Sequence, residues 1–164
     1  MSVDGSRSSR VGRWAVVMLA VGVWLPGCSD QGPDDALLTQ VRSARELWEG
    51  SRPDVYVYRV ERVCTEGAAE AKGTVAVRVE GVTVTERRYD DGAPVPVHVA
   101  ALFPSVDGLL DLIEDAIARE AYEVSVQYDP VTGVPLVVRI DYEAFTFDEE
   151  QYYIVRTPPA PPTG

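Results

Sequence analysis

The sequence predicts an α+β fold, in which two helices pack on one face of an antiparallel sheet of about six strands, in the order αβββαβββ. Two segments carry apolar residues at helical spacing, and several others alternate apolar and polar side chains at a period of two. Short turn sequences separate consecutive strand segments, which favours antiparallel hairpins over parallel crossovers. Amphipathic helices must bury their stripes against something, and a sheet with one apolar face supplies it.

The first helix is expected over 36–49, capped by Asp34 or Asp35. Leu37, Val41, Ala44 and Trp48 form its stripe, widened by Leu38 and Leu47, and Gly50 and Pro53 end it. From Asp54 to Cys64 the pattern alternates, with Tyr56, Tyr58 and Val60 on one side and Val55 and Val57 on the other. Gly67 to Gly73 reads as a loop. Val75, Val77 and Val79 then share a face, and Glu80-Gly81 turns the chain into Val82–Val84. Asp90-Asp91-Gly92, Pro94 and Pro96 make a break. A second helix follows over 106–120, capped by Ser105, with Val106, Leu109, Leu110, Ile113, Ala116 and Ile117 on its apolar side. Asp107, Asp111, Glu114 and Asp115 lie largely opposite. Tyr122 to Tyr128 alternates again, Asp129-Pro130-Val131-Thr132-Gly133 turns, and Leu136, Val138, Ile140 and Tyr142 line the returning strand. A last strand is expected over 151–156.

The flanking regions read differently. Arg7, Arg10 and Arg13 precede an apolar run from Trp14 to Leu25, which is too short for the ~20 residues of a bilayer span and suits an export signal. Leu25-Pro26-Gly27-Cys28 resembles the bacterial lipobox, in which a small residue precedes a cysteine that takes a lipid on its thiol before cleavage. The expected division is therefore a lipoprotein signal peptide over 1–27, a tether over 28–35, one domain over 36–156 and a Pro-rich disordered tail over 157–164. Lipidation falls on Cys28. At ~3.5 Å per residue the polar tether after it reaches about 25 Å, so the domain stays near the membrane. Ser29 does not supply the aspartate of the common inner-membrane retention signal, which favours the outer membrane where a cell has two.

The formal charge is −11, and loss of residues 1–27, with three Arg and one Asp, takes it to −13. Such a chain repels nucleic acid and anionic lipid surfaces, which select clustered Lys and Arg. Once Cys28 carries a lipid, Cys64 has no intramolecular partner and reads as a buried, inert thiol, with an intermolecular bridge as the alternative. His98 is the only histidine, without the neighbours that a catalytic base or metal ligand needs. Asp90-Asp91-Gly92 and Asp148-Glu149-Glu150 read as solvated acidic loops, and no motif for a nucleophile, metal or phosphate occurs. No catalytic residue, metal ligand or cofactor is expected, and the chain is not expected to be an enzyme. Tyr56, Tyr58, Tyr122, Tyr128, Tyr142, Tyr152 and Tyr153 lie on or beside strands, where they cover the sheet beneath the helices or, if they share an exposed face, bind a partner.

Several segments occur in a recognisable order: ARELW (44–48), Tyr56-x-Tyr58, Cys64, VRVEG (77–81), PSVDGLLDLIEDAI (104–117), YDPVTGVP (128–135) and IDY (140–142). In this order they resemble the bacterial proteins grouped as domain of unknown function 6174, many of which are predicted lipoproteins. Members often carry a second cysteine two residues after the first, which could close a small disulfide; position 66 here is Glu66. The resemblance implies a fold and an envelope location, and no activity. The expected function is that of an exported, membrane-anchored, non-enzymatic binding module. Its partners would be the membrane, through the lipid on Cys28, and an envelope protein, with no nucleic acid. A small-ligand or cation-binding lipoprotein is the alternative.

Overall fold

A computed structural model describes residues 1, 33–63, 69–143 and 150–160. The signal segment, Cys28, Cys64, Asp148, Glu149 and residues 161–164 lie outside the described residues. The domain runs α1 (Pro33–Ser51), β1 (Val55–Val63), β2 (Gly73–Glu80), β3 (Thr83–Tyr89), α2 (Val106–Ala118), β4 (Glu123–Tyr128), β5 (Pro135–Asp141) and β6 (Gln151–Ala160). Short 3-10 turns at Ala69–Ala71 and Ala100–Leu102 interrupt the connections. The expected αβββαβββ order is present. All pairings are antiparallel, in the strand order β3-β2-β1-β6-β5-β4.

Several boundaries differ from expectation. Val82 belongs to the turn and β3 runs on from Thr83 to Tyr89, and α2 ends at Ala118. α1 begins at Pro33, inside the segment read as tether, because the fixed φ of proline suits the first helical position, where its missing N–H costs nothing. At the other end, β6 continues to Ala160 through part of the segment read as a disordered tail. Thr157 pairs with Arg59 and Ala160 with Val57, so Pro158 and Pro159 fall in a bulge opposite Tyr58. A bulge requires no ladder N–H from them, which is how two prolines enter this strand.

Alternation decides what each strand buries. Tyr56, Tyr58 and Val60 of β1, Val75, Val77 and Val79 of β2, Val138 and Ile140 of β5, and Tyr153 and Val155 of β6 form one buried face. Val41, Ala44 and Trp48 from α1 and six residues from α2 join the same cluster, so both helices pack on that face. Trp48 meets Tyr56 edge-on, with ring centroids 5.2 Å apart, an arrangement that suits the aromatic quadrupoles. The central β1–β6 pairing joins the two halves of the chain, matching Val60 to Val155 and Arg62 to Tyr153.

The start of α2 is tied to the sheet. Tyr58 Oη donates to the Pro104 carbonyl, and Arg87 Nε donates to the Phe103 carbonyl at 2.7 Å. Ser105 caps the helix as expected, its Oγ accepting from the Gly108 N–H. The two helices run antiparallel and are joined by charge: Arg52 pairs with Asp107 at 2.8 Å, and Arg45 with Asp111 at 2.8 Å and Glu114 at 3.0 Å.

Replacing Trp48 with Ala removes the largest buried side chain at the α1–β1 junction and should lower stability by roughly 3–5 kcal/mol in a urea titration. Val82, 70% exposed in the β2–β3 turn, is the control: Val82→Ala should change stability by less than about 0.5 kcal/mol.

Candidate functional site

The tyrosines divide by register. Tyr56 and Tyr58 are fully buried and Tyr153 nearly so. Tyr128, Tyr142 and Tyr152 are half-buried, and Tyr122 is exposed. Burial pushes the Tyr56 and Tyr58 phenols well above their ordinary value, so both are neutral core residues. Tyr56, Tyr58 and Tyr153 therefore lie beneath the helices, Tyr152 alternates to the opposite face of the sheet, and the tyrosines do not form one exposed face. Arg119 stacks over Tyr142 at 4.7 Å, and Arg139 of β5 over Tyr152 of β6 at 5.1 Å on the face of the sheet away from the helices.

His98 is exposed. Asp90 pairs with Arg59, and Asp91 accepts from the Ala93 N–H, so the first acidic loop is organised by its own turn. Among the described residues, no three of His, Cys, Asp and Glu come together, and no helix is long and apolar enough to cross a membrane.

What the chain does assemble is a hollow of about 270 Å³ between α1 and the β4–β5 turn. Thr39, Gln40, Ser43, Ala44 and Leu47 line it from the helix, and Tyr128, Asp129, Pro130 and Gly133 from the turn. Leu47, assigned above to the core stripe, lies instead at this rim and is 44% exposed, because the helix turns its buried face toward Val41, Ala44 and Trp48.

The turn is built locally. Asp129 Oδ1 accepts from the Val131 and Thr132 N–H groups at 2.9 and 2.8 Å, and the Gly133 N–H donates to the Asp129 carbonyl. Those backbone bonds, Thr132 first and then Val131, hold the Asp129 carboxyl below the usual carboxylate range. Gly133 has φ +73°, and a Cβ there would stand 1.9 Å from the Ala44 carbonyl oxygen. The turn can therefore lie directly on α1 only if this residue is glycine. Ser51 Oγ adds a bond to the Thr132 carbonyl at 3.3 Å. Burial, with Glu114 nearby, pushes the Tyr128 phenol up to about 12, so it enters the hollow as a neutral hydroxyl.

The hollow thus joins two of the sequence segments singled out above, ARELW and YDPVTGVP. Residues 40–157, which contain both, match the model of a family of unknown function, DUF6174. The chain belongs to this family. No curated protein and no solved structure matches it. Pattern reading of this DUF6174 domain missed the hollow, because its walls come from segments about eighty residues apart. The legible signal was Asp-Pro-x-x-Gly itself, a turn whose final residue needs a left-handed backbone.

Two outcomes test the turn. Gly133→Ala should destabilise by roughly 1–3 kcal/mol from backbone strain alone, and further as α1 is displaced, read by denaturant titration. Because folding lowers the Asp129 pKa, its contribution is complete above the ordinary carboxylate range and is lost as pH falls through the lowered folded value. An Asp129→Asn domain should lose less stability over that acid window than the native domain.

Proposed function

We propose that this chain is an exported lipoprotein, anchored to a membrane by a lipid on Cys28, whose DUF6174 domain is a non-enzymatic module that binds an envelope protein. The observation that carries the binding reading is the α1–turn hollow. It is open, mostly apolar, flanked by exposed Leu47 and Val131, and shaped by a glycine the geometry requires. Its volume of about 270 Å³ suits one large apolar side chain, with Thr39, Gln40 and Ser43 placed to bond the backbone around it. The anchoring reading rests on Cys28 following a short apolar run and on the short polar segment after it.

A second reading, favoured by the same hollow, is a small apolar ligand, since the volume lies at the lower end of ligand pockets. A thermal-shift screen with envelope-derived small molecules distinguishes the two: a stabilising ligand supports this second reading.

Cell fractionation tests the anchor. The native protein should sediment with membranes and Cys28→Ser should not; membrane retention of Cys28→Ser refutes the lipid. A photo-crosslinking residue at position 47 should give a discrete protein adduct in intact cells, whereas one at the exposed position 82 should not. Equal adducts from both positions, or none from position 47, would count against a protein partner at the hollow.

A further inference from the structure

The sheet ends on β3 at one side and β4 at the other, and the two edges are treated differently. An open strand edge offers unpaired N–H and C=O groups to another strand. The C-terminal end of β3 is covered by its own chain: Pro94 bridges Arg88, the Tyr89 N–H donates to the Ala93 carbonyl, and the Val95 N–H donates to the Arg87 carbonyl. Pro94 and Pro96 then close that end of the edge to further pairing.

β4 has no such cover. It pairs with β5 alone, and among the described residues no backbone bond reaches its outer edge. Its sequence, EVSVQY, contains no proline, glycine, lysine or arginine, and its one charge is Glu123 at the first position. Apart from Glu123 and an irregularity in its ladder with β5 between Gln127 and Tyr128, the devices that ordinarily protect an edge are absent from it. Beside it lies a second hollow of about 280 Å³, lined by Leu37, Ile117, Ala121, Tyr122 and Val124, and Tyr122 is 65% exposed.

We infer that β4 pairs antiparallel with β4 of a second copy of this chain about a twofold axis at Ser125, forming a continuous sheet across a homodimer. The strand is complementary to itself in that register. Ser125 meets its own copy, Val124 meets Val126 twice, and Glu123 meets Gln127 twice, so each carboxylate faces an amide that can donate to it. Tyr122 of each copy then lies opposite Tyr128 of the other, covering an exposed aromatic. The neighbouring register, centred on Val126, would set Glu123 against Asp129, and like charges directly opposite disfavour it. A twofold axis normal to the sheet pairs residues of like parity, which keeps the helices of both copies on one side.

Cross-linking of the full chain in mild detergent tests the register, in a Cys28→Ser, Cys64→Ser background that removes both native thiols. Across an antiparallel pair, facing Cα atoms lie within disulfide reach. Ser125→Cys should therefore give a disulfide-linked dimer under mild oxidation, and Val82→Cys should not. Glu123→Cys and Gln127→Cys should cross-link when mixed and not singly. Ser125→Lys, which sets two cations across the axis, should shift the sedimenting mass from dimer to monomer while circular dichroism shows the fold retained. A native chain that sediments as a monomer at every concentration overturns the inference. So does a Glu123→Cys chain that links to itself as readily as to Gln127→Cys.

Discussion

Tyr58 and Arg87 reach up from the sheet and hold the carbonyls of Pro104 and Phe103, the two residues that lead into the cap of α2. This places the helix start over β1 and β3 before any of its apolar side chains is considered. From that point Val106, Leu109, Leu110 and Ile113 fall on the sheet in order, and Asp107 falls within reach of Arg52 at the end of α1. Once α2 is placed, α1 follows, because Arg45 and Arg52 lie seven residues apart on one face and meet acidic residues spaced at 107, 111 and 114 on the antiparallel helix. Trp48 closes the arrangement by packing edge-on against Tyr56.

The same placement creates the hollow. α1 presents one face to the core and cannot cover the β4–β5 turn with it, so the turn meets the neighbouring face, at Ala44 and Leu47. Contact there is backbone against backbone, which is why Gly133 and the self-bonded Asp129 matter more than apolar area. Such a junction leaves a concavity beside it, since two backbones in contact hold apart the side chains on either flank.

The open sides of the domain follow from its connectivity. Joining the halves through β1 and β6 puts both longer-range strands at the centre and leaves β3 and β4 outside. The chain after β3 folds back along the end of that strand, while β4 emerges from α2 with only a short link and, among the described residues, receives no backbone bond on its outer edge. Binding through the hollow and self-association through β4 use neighbouring parts of the surface, since Tyr128 lines the first and ends the strand of the second.

Much of this was legible in the residues themselves. Periods of two and 3.6 placed both helices and most of the strands, because burial of one face is a local consequence of side-chain geometry, whereas β3 was legible mainly from the turn before it. Ser105 as a cap and the Asp129–Gly133 turn were readable for the same reason: their hydrogen bonds close within a few residues. The extension of β6 past Pro158 and Pro159 was not, because composition argues against a strand there and only the bulge opposite Tyr58 permits it. Nor was the exposure of Leu47, which shares the helical spacing of the core residues and differs only in where α1 is rotated against the sheet. Sequence by itself determined the elements, their faces and the cysteine on which the anchoring proposal rests. Tertiary structure alone decided that β1 pairs with β6, that α1 meets the turn at Gly133, and that among the described residues β4 pairs on one side only, since each depends on segments brought together only by closure of the sheet.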